Sequence, residues 1–293
     1  AIMVYANFHA EERTIEPYFK GGIGTDCFKV LEREGFVIIP KTDPVKSLIE
    51  KYKIHIAKTQ LKDELYKWEF VKDYKGRPNL NEVDFYQEIK SVKFTNLIYA
   101  MAKACIYHLI REKPEEVRQL FIQLFDESID LTKRVTFFNK ETLNMYRDLG
   151  QTLSHHQDER TIATYLTLHN PEKYTFYKSS FYKKYCKLLG LAPAKKNKKY
   201  THYLSLVDEL IEKYIVPDTA LIRQVKSLIP DFYDGVHHKL LAQDILYQML
   251  EKKIVPDYWV FQGNPKIFDF ETGLRDEIIT DWTINAHKNK IKV

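Results

Sequence analysis

Apolar residues recur along most of the chain at the spacing of amphipathic helices. After Asp43-Pro44, for example, they fall at positions 45, 48, 49, 52 and 56. Asp suits the N-cap of such a helix and Pro suits its first turn. Similar patterns predict helices over residues 82–112 with a break near Phe94-Thr95, and over 114–124, 141–149, 158–169, 178–189, 203–214, 218–228 and 236–252. Residues 73–81, which contain Gly76 and Pro78, are predicted to form a loop.

The pattern changes near the C-terminus, where residues 258–263 are aromatic and β-branched and predict a strand. A single strand is not stable without partners. We therefore interpret residues 254–293 as the beginning of a β-containing domain. The expected fold is mainly α, an irregular multi-helix body with a small partial β segment at the C-terminus. The expected domains are a helical or mixed subdomain over 1–80, a helical domain over 81–253, and the β-containing segment over 254–293.

Composition fits a globular protein of 293 residues, with 44% hydrophobic and 29% charged residues. These values exclude a disordered chain, and the 10 Gly and 11 Pro exclude a collagen-like one. The three cysteines, Cys27, Cys105 and Cys186, are widely spaced, which favours buried, reduced thiols over a disulfide framework. Because no apolar run reaches the roughly 18 residues of a membrane span, we expect a cytoplasmic protein with no membrane partner.

The sequence lacks the common signatures of catalytic sites. The sequence has no GxxxxGK[ST] or GxGxxG loop, no GxSxG and no HExxH. The pairs His155-His156 and His237-His238 lack further ligands at recognisable metal spacing. Three Pro-Asp pairs lack the Glu-x-Lys strand of a PD-(D/E)xK nuclease and are more typical of turns or helix starts. We therefore expect no enzyme activity, no cofactor and no metal in this chain.

Residues 171–204 carry nine lysines and one acid, Glu172, whereas the whole chain has a net charge of +5. Lysines pair with phosphates, so we predict that this segment contacts a nucleic-acid backbone. The predicted contact residues are Lys173, Lys178, Lys183, Lys184, Lys195, Lys196, Lys198 and Lys199. Plain solvation of the lysines is an equal alternative. The eight interleaved Tyr and Phe residues could stack on bases, but the helical pattern favours core positions for them.

Four stretches resemble a known family. Residues 160–178, with the sequence Asn170-Pro171-Glu172-Lys173-Tyr174, resemble the helix and "NPxxY" stretch that precedes the AAA-type motor of McrB-like restriction proteins. Residues 240–247 resemble the helix that closes that region. Residues 258–266 and 282–288 are similar to the opening of an EVE domain, which is a PUA-like β-barrel.

The resemblance implies a non-catalytic recognition or scaffold region of a nucleotide-dependent, anti-phage restriction protein that binds DNA and presents a reader of a modified base. The full-length protein would carry an AAA-type NTPase motor and would work with a partner nuclease. EVE domains take a modified base into an aromatic pocket. The pocket candidates implied by position are Gln262, Asn264, Trp282, Asn285 and His287. The alternative is a protein-interaction or homo-oligomerisation module with no DNA contact of its own.

Overall fold

The computed structural model describes residues 43–94 and 96–251, together with Lys29 and Arg33. Within these residues the chain forms eleven α-helices and one π-helical turn, and no strand. The predicted mainly α body is therefore confirmed for this part of the chain, and the predicted strand at 258–263 lies outside it. The helices are α1 (Pro44–Thr59), α2 (Leu65–Tyr74), α3 (Phe85–Ser91), α4 (Ala100–Glu112), α5 (Pro114–Phe125), α6 (Leu131–Asp148), α7 (Glu159–His169), α8 (Ser179–Leu189), α9 (Lys199–Leu210), α10 (Thr219–Leu228) and α11 (Lys239–Leu250).

Aspartates begin five of these helices by accepting backbone N–H groups of the first turn. They are Asp43, Asp84, Asp130, Asp158 and Asp218. The cap predicted at Asp43 is confirmed, and Asp158 caps the helix predicted over 158–169. The predicted break near Phe94-Thr95 is also confirmed, because α3 ends at Ser91 and α4 begins at Ala100.

Two helices differ most from the prediction, while α9 begins four residues before its predicted start at 203. Helix α6 begins ten residues earlier than the predicted start at 141, because Asp130 caps it and Val135 and Phe138 are buried, despite several β-branched residues of low helix propensity. Helix α2 was not predicted. It is rich in aromatic residues, and Trp68 and Phe70 give it two buried side chains that do not follow a single helical stripe.

Helices α7 and α11 form the centre of the body. Residues 161–168 of α7 and 240–246 of α11 are all buried, which is typical of a helix surrounded by others. Helix α7 contacts α2, α5, α6 and α9, whereas α11 contacts α1, α8 and α9. Helix α9 thus joins the two central helices. None of the described helices has the length and apolarity needed to cross a membrane.

Aromatic rings fill the core around α7. Phe121 on α5 has no exposed surface and lies 5.1 Å, centre to centre, from both Phe138 and Tyr165. It also contacts Phe85 and Phe125. Cys105 and Cys186 are buried free thiols, as predicted for them, and Cys27 lies outside the described residues.

A buried polar network connects α1 with α11. The Tyr52 hydroxyl and the Gln248 amide each donate to Asp244 Oδ2 at 2.6 Å. Gln248 Oε1 lies 2.7 Å from His55 Nε2. Asp244 is fully buried, and burial raises the pKa of its carboxyl group despite the nearby Lys67 ammonium and these donors.

Helix α9 continues into a π-helical turn at Ile211–Ile215, closed by a hydrogen bond from Val216 N–H to Ile211 O at 2.9 Å. The turn buries Ile215 completely. The neighbouring Tyr214 donates its hydroxyl to Asp43 Oδ2 at 2.9 Å, so it meets the residue that caps α1.

Candidate nucleic-acid interface

The predicted lysine segment folds into α8, a loop over residues 190–198, and the start of α9. Gly190 ends α8 in the left-handed conformation, with φ at 72°, which favours glycine at this position. The loop then returns toward α8, where the Ala194 N–H donates to the Tyr182 hydroxyl at 2.7 Å. The same hydroxyl is hydrogen-bonded to His202 Nδ1 on α9, at 2.8 Å. Tyr182 therefore fixes the loop between the two helices.

The eight aromatic side chains interleaved with these lysines are core residues. None has more than 6% of its surface exposed: Tyr174, Phe176, Tyr177, Phe181, Tyr182, Tyr185, Tyr200 and Tyr203. Tyr200 donates to Thr175 O and Tyr203 to Phe176 O, so their hydroxyl groups also have protein partners. The structure thus decides between the two interpretations of the sequence, in favour of the core.

Three of the eight predicted lysines are neutralised by carboxylates from other elements. Lys173 pairs with Glu127, and Lys178 pairs with Glu251. Lys184 also reaches Glu251, at 3.5 Å, and donates to Leu250 O at 2.7 Å.

The pKa values of these two acids reflect the pairing. The hydrogen bond from Lys173 lowers the pKa of Glu127. Partial burial raises the pKa of Glu251, but hydrogen bonds from Lys178 and Ser180 outweigh it and lower the pKa overall. Both carboxylates are therefore ionised at neutral pH and cancel the charge of the lysines that contact them.

The other five predicted lysines form no ion pair within the described residues. They are Lys183, Lys195, Lys196, Lys198 and Lys199, and the exposed Lys187 on α8 shares this property. We call these six residues the lysine surface. From Lys173 to Val207 the sequence holds no acid. Lys199 lies near a carboxylate of another element, because Glu159 accepts its backbone N–H at 3.0 Å and that of Tyr200 at 3.1 Å.

The histidine pairs have structural partners. His155 donates from Nε2 to Asn139 O at 3.0 Å, and burial lowers its pKa. His156 lies beside the ring of Tyr99, 6.3 Å away. Among residues 43–94 and 96–251, no group of three or more His, Cys, Asp or Glu side chains is arranged to hold a metal.

His237 lies at the rim of a groove of about 200 Å³ that Trp68 and Phe232 help to line. Its Nδ1 contacts the Asp234 carboxylate, and its Nε2 lies 3.5 Å from Glu172. Partial burial raises the pKa of Asp234, but hydrogen bonds from two backbone N–H groups and from His237 lower it to about 2. The groove thus places cations and anions side by side around the imidazole.

Sequence patterns did not reveal the carboxylates that divide the lysine segment. Glu127 and Glu251 lie 46 and 73 residues from their lysine partners, and no local motif signals such pairs. The predicted pocket residues Gln262, Asn264, Trp282, Asn285 and His287 lie outside the described residues. Comparison of the chain with protein-family models, with curated proteins and with solved structures gives no match.

Proposed function

We propose that this chain is a non-catalytic DNA-binding region, and that its helical body contacts the DNA backbone through the lysine surface. The observation that carries the proposal is the set of six lysines on α8, the 190–198 loop and the start of α9 that form no ion pair within the described residues. They belong to a stretch without any acid, so the charge is local rather than a property of the whole chain. Lysines on such a surface bind phosphates and release counterions.

Existing ion pairs argue against a contribution from three of the predicted lysines. An ammonium group already paired with a carboxylate gains little from a phosphate, since it must give up its first partner. Lys173 and Lys178 are in this position, and Lys184 in part. The proposed interface is therefore narrower than the segment predicted from the sequence, and it adds Lys187.

The test is a titration of a mixed-sequence DNA duplex with the full chain at several salt concentrations. The variant replaces Lys195, Lys196, Lys198 and Lys199 with Gln. Each phosphate contact contributes about −0.9 to the slope of log K against log salt, so we expect the slope to become less steep by about 3 to 4. Binding should weaken equally for all sequences, because ammonium groups carry no base-specific geometry.

Matched controls separate local contact from overall charge. Replacing Lys51, Lys62, Lys133 and Lys140 with Gln removes the same charge from exposed positions on α1, α6 and the α1–α2 connection. Replacing Lys173 and Lys178 removes lysines that are already paired. Both controls should keep the wild-type salt slope. An unchanged slope in the lysine-surface variant, or an equal change in the first control, would contradict the proposal.

We further propose that the chain belongs to a McrB-like restriction protein and that its C-terminal segment reads a modified base. The resemblance of residues 160–178, 240–247, 258–266 and 282–288 supports this step. The same titration, carried out with duplexes that contain plain or modified cytosine, tests this proposal. We expect tighter binding to the modified duplex, and equal affinities would contradict recognition of a modified base. A stable homo-oligomer without DNA affinity, measured by light scattering, would instead favour a protein-interaction module.

A further inference from the structure

The groove beside His237 has an apolar wall, formed by α2, the α10–α11 connection and the start of α11. Trp68, Val71, Phe232 and Leu240 contribute to this wall, and the groove has a volume of about 200 Å³. A cavity of about 150 Å³ is large enough for benzene, whereas pockets for drug-sized ligands have volumes of about 300–1,000 Å³. The groove therefore has the size for one ring or one branched aliphatic group with a few further atoms.

Trp68 adds a hydrogen-bond donor to the residues of this wall. The residue is only 4% exposed, and its ring meets Tyr233 edge to face at 5.7 Å. Its indole Nε1–H is buried and has no hydrogen-bond acceptor within the described residues. A buried donor without an acceptor lowers stability, because the group has given up its hydrogen bond to water. A ligand that supplies an oxygen atom to this donor removes the penalty.

The charged side chains around the groove fall into two groups. The first group already makes ion contacts across the groove and consists of Lys75, Glu172, Asp234 and His237. The second group is Lys72 and Asp231, which form no ion pair with any residue that the structure describes. Lys72 Nζ lies 4.8 Å from the centre of the Phe232 ring, so a cation–π contact holds this ammonium group against the apolar wall. The groove thus offers a ligand one cation, one anion and an apolar surface.

We infer that the groove binds a small zwitterion with an apolar side chain, that is, an α-amino acid such as phenylalanine or leucine. The carboxylate of this ligand accepts from Lys72 and from the indole N–H of Trp68. Its ammonium group contacts Asp231, and its side chain lies against the Phe232 ring. The inference goes beyond the proposed DNA contact and does not depend on it, because none of these residues belongs to the lysine surface.

The test is a titration of the isotope-labelled full chain with L-phenylalanine, followed by NMR spectroscopy. The chain has three tryptophans, and Trp68→Phe identifies the indole N–H resonance that belongs to Trp68. We expect this resonance to move during the titration, with a Kd on the order of 1 mM, as is typical of a ligand with so few atoms. Phenylacetate, phenethylamine and glycine each lack one of the three recognised groups, so each should bind about fivefold more weakly or worse.

Variants at the groove locate the site. Lys72→Gln and Asp231→Asn each remove one charge from an exposed side chain, so both should fold normally. Each should weaken the binding of L-phenylalanine about threefold to fivefold, which is the effect of one exposed ion pair. The matched controls Lys51→Gln on α1 and Asp148→Asn on α6 change exposed residues away from the groove and should leave the Kd unchanged.

Three results would overturn the inference. The first is an indole resonance of Trp68 that does not move at about 20 mM L-phenylalanine, well above the expected Kd. The second is phenylacetate or phenethylamine that binds as tightly as L-phenylalanine, since the ligand would then not be recognised as a zwitterion. The third is an unchanged Kd in both groove variants.

Discussion

Replacing Tyr52 with Phe would test the buried network between α1 and α11 with a change of one oxygen atom. The Tyr52 hydroxyl donates to Asp244 Oδ2 at 2.6 Å, and both residues have no exposed surface. Without it, the only described donor to Oδ2 is Gln248, and Oδ1 has no hydrogen-bond donor within the described residues. A hydrogen bond to a charged group contributes about 1.5–3 kcal/mol to stability. We therefore expect Tyr52→Phe to lower the free energy of unfolding by about 2 kcal/mol at neutral pH.

The loss should depend on pH in a defined direction. Burial raises the pKa of Asp244 in the folded state above the usual value of 3.8. Its contribution to stability is thus largest below that value and is lost as the pH rises through the folded-state pKa. Because the Tyr52 hydroxyl stabilises the ionised form, its removal raises this pKa further. The loss should be about 2 kcal/mol near pH 7.5 and smaller, about 1 kcal/mol, near pH 4, because a lower pH favours the neutral acid, to which the hydroxyl donates more weakly.

The assay is urea unfolding followed by far-UV circular dichroism at the two pH values. Tyr203→Phe is the matched control, because Tyr203 is equally buried but donates to a neutral backbone carbonyl, Phe176 O. Its loss should be about 1 kcal/mol at both pH values. A loss in Tyr52→Phe below about 0.5 kcal/mol at neutral pH, or a loss that is larger near pH 4, would refute the reasoning.

Three further substitutions probe the core, a turn and a cap, each measured by urea unfolding. Phe121→Ala should lower the free energy of unfolding by about 3–5 kcal/mol, because the ring is fully buried among Phe85, Phe138 and Tyr165. A decrease of less than about 2 kcal/mol would contradict this packing. Gly190→Ala should lower the free energy of unfolding by about 1–2 kcal/mol because of the positive φ alone, since no neighbouring atom lies within 4 Å of the added Cβ. An unchanged free energy of unfolding would contradict the left-handed cap. Asp158→Ala should lower the free energy of unfolding by about 1 kcal/mol. Asp158→Asn should lower it less, because Asn still accepts the N–H groups of Arg160 and Thr161. Equal decreases in the two variants would exclude the cap as the cause.

Local signals made the helices predictable. A cap such as Asp43 or Asp158 acts on N–H groups two or three residues away, so the sequence contains both partners side by side. Helix α2 escaped prediction because the packing that stabilises it is not local. Trp68, for example, meets Tyr233 edge to face at 5.7 Å, from a residue far along the chain.

The candidate interface was predictable in composition but not in extent. The density of lysines is visible in the sequence, and so is the helical spacing that favours buried rings among them. Glu127 and Glu251 determine which lysines are paired with a carboxylate. Their positions next to those lysines follow only from the packing of α5, α8 and α11. The pairing of charged side chains thus depends on the tertiary fold, whereas the local sequence shows only how many charged residues are present.

The π-helical turn at Ile211–Ile215 has a consequence for how this protein can vary in evolution. The turn holds one residue more than the corresponding α-helical turn, and each residue rotates a helix by about 100°. Deleting one residue here would rotate Ile215 out of the core and move Tyr214 away from Asp43. We therefore expect homologues to exchange the exposed Glu212 and Lys213 freely while they keep the length of this turn constant.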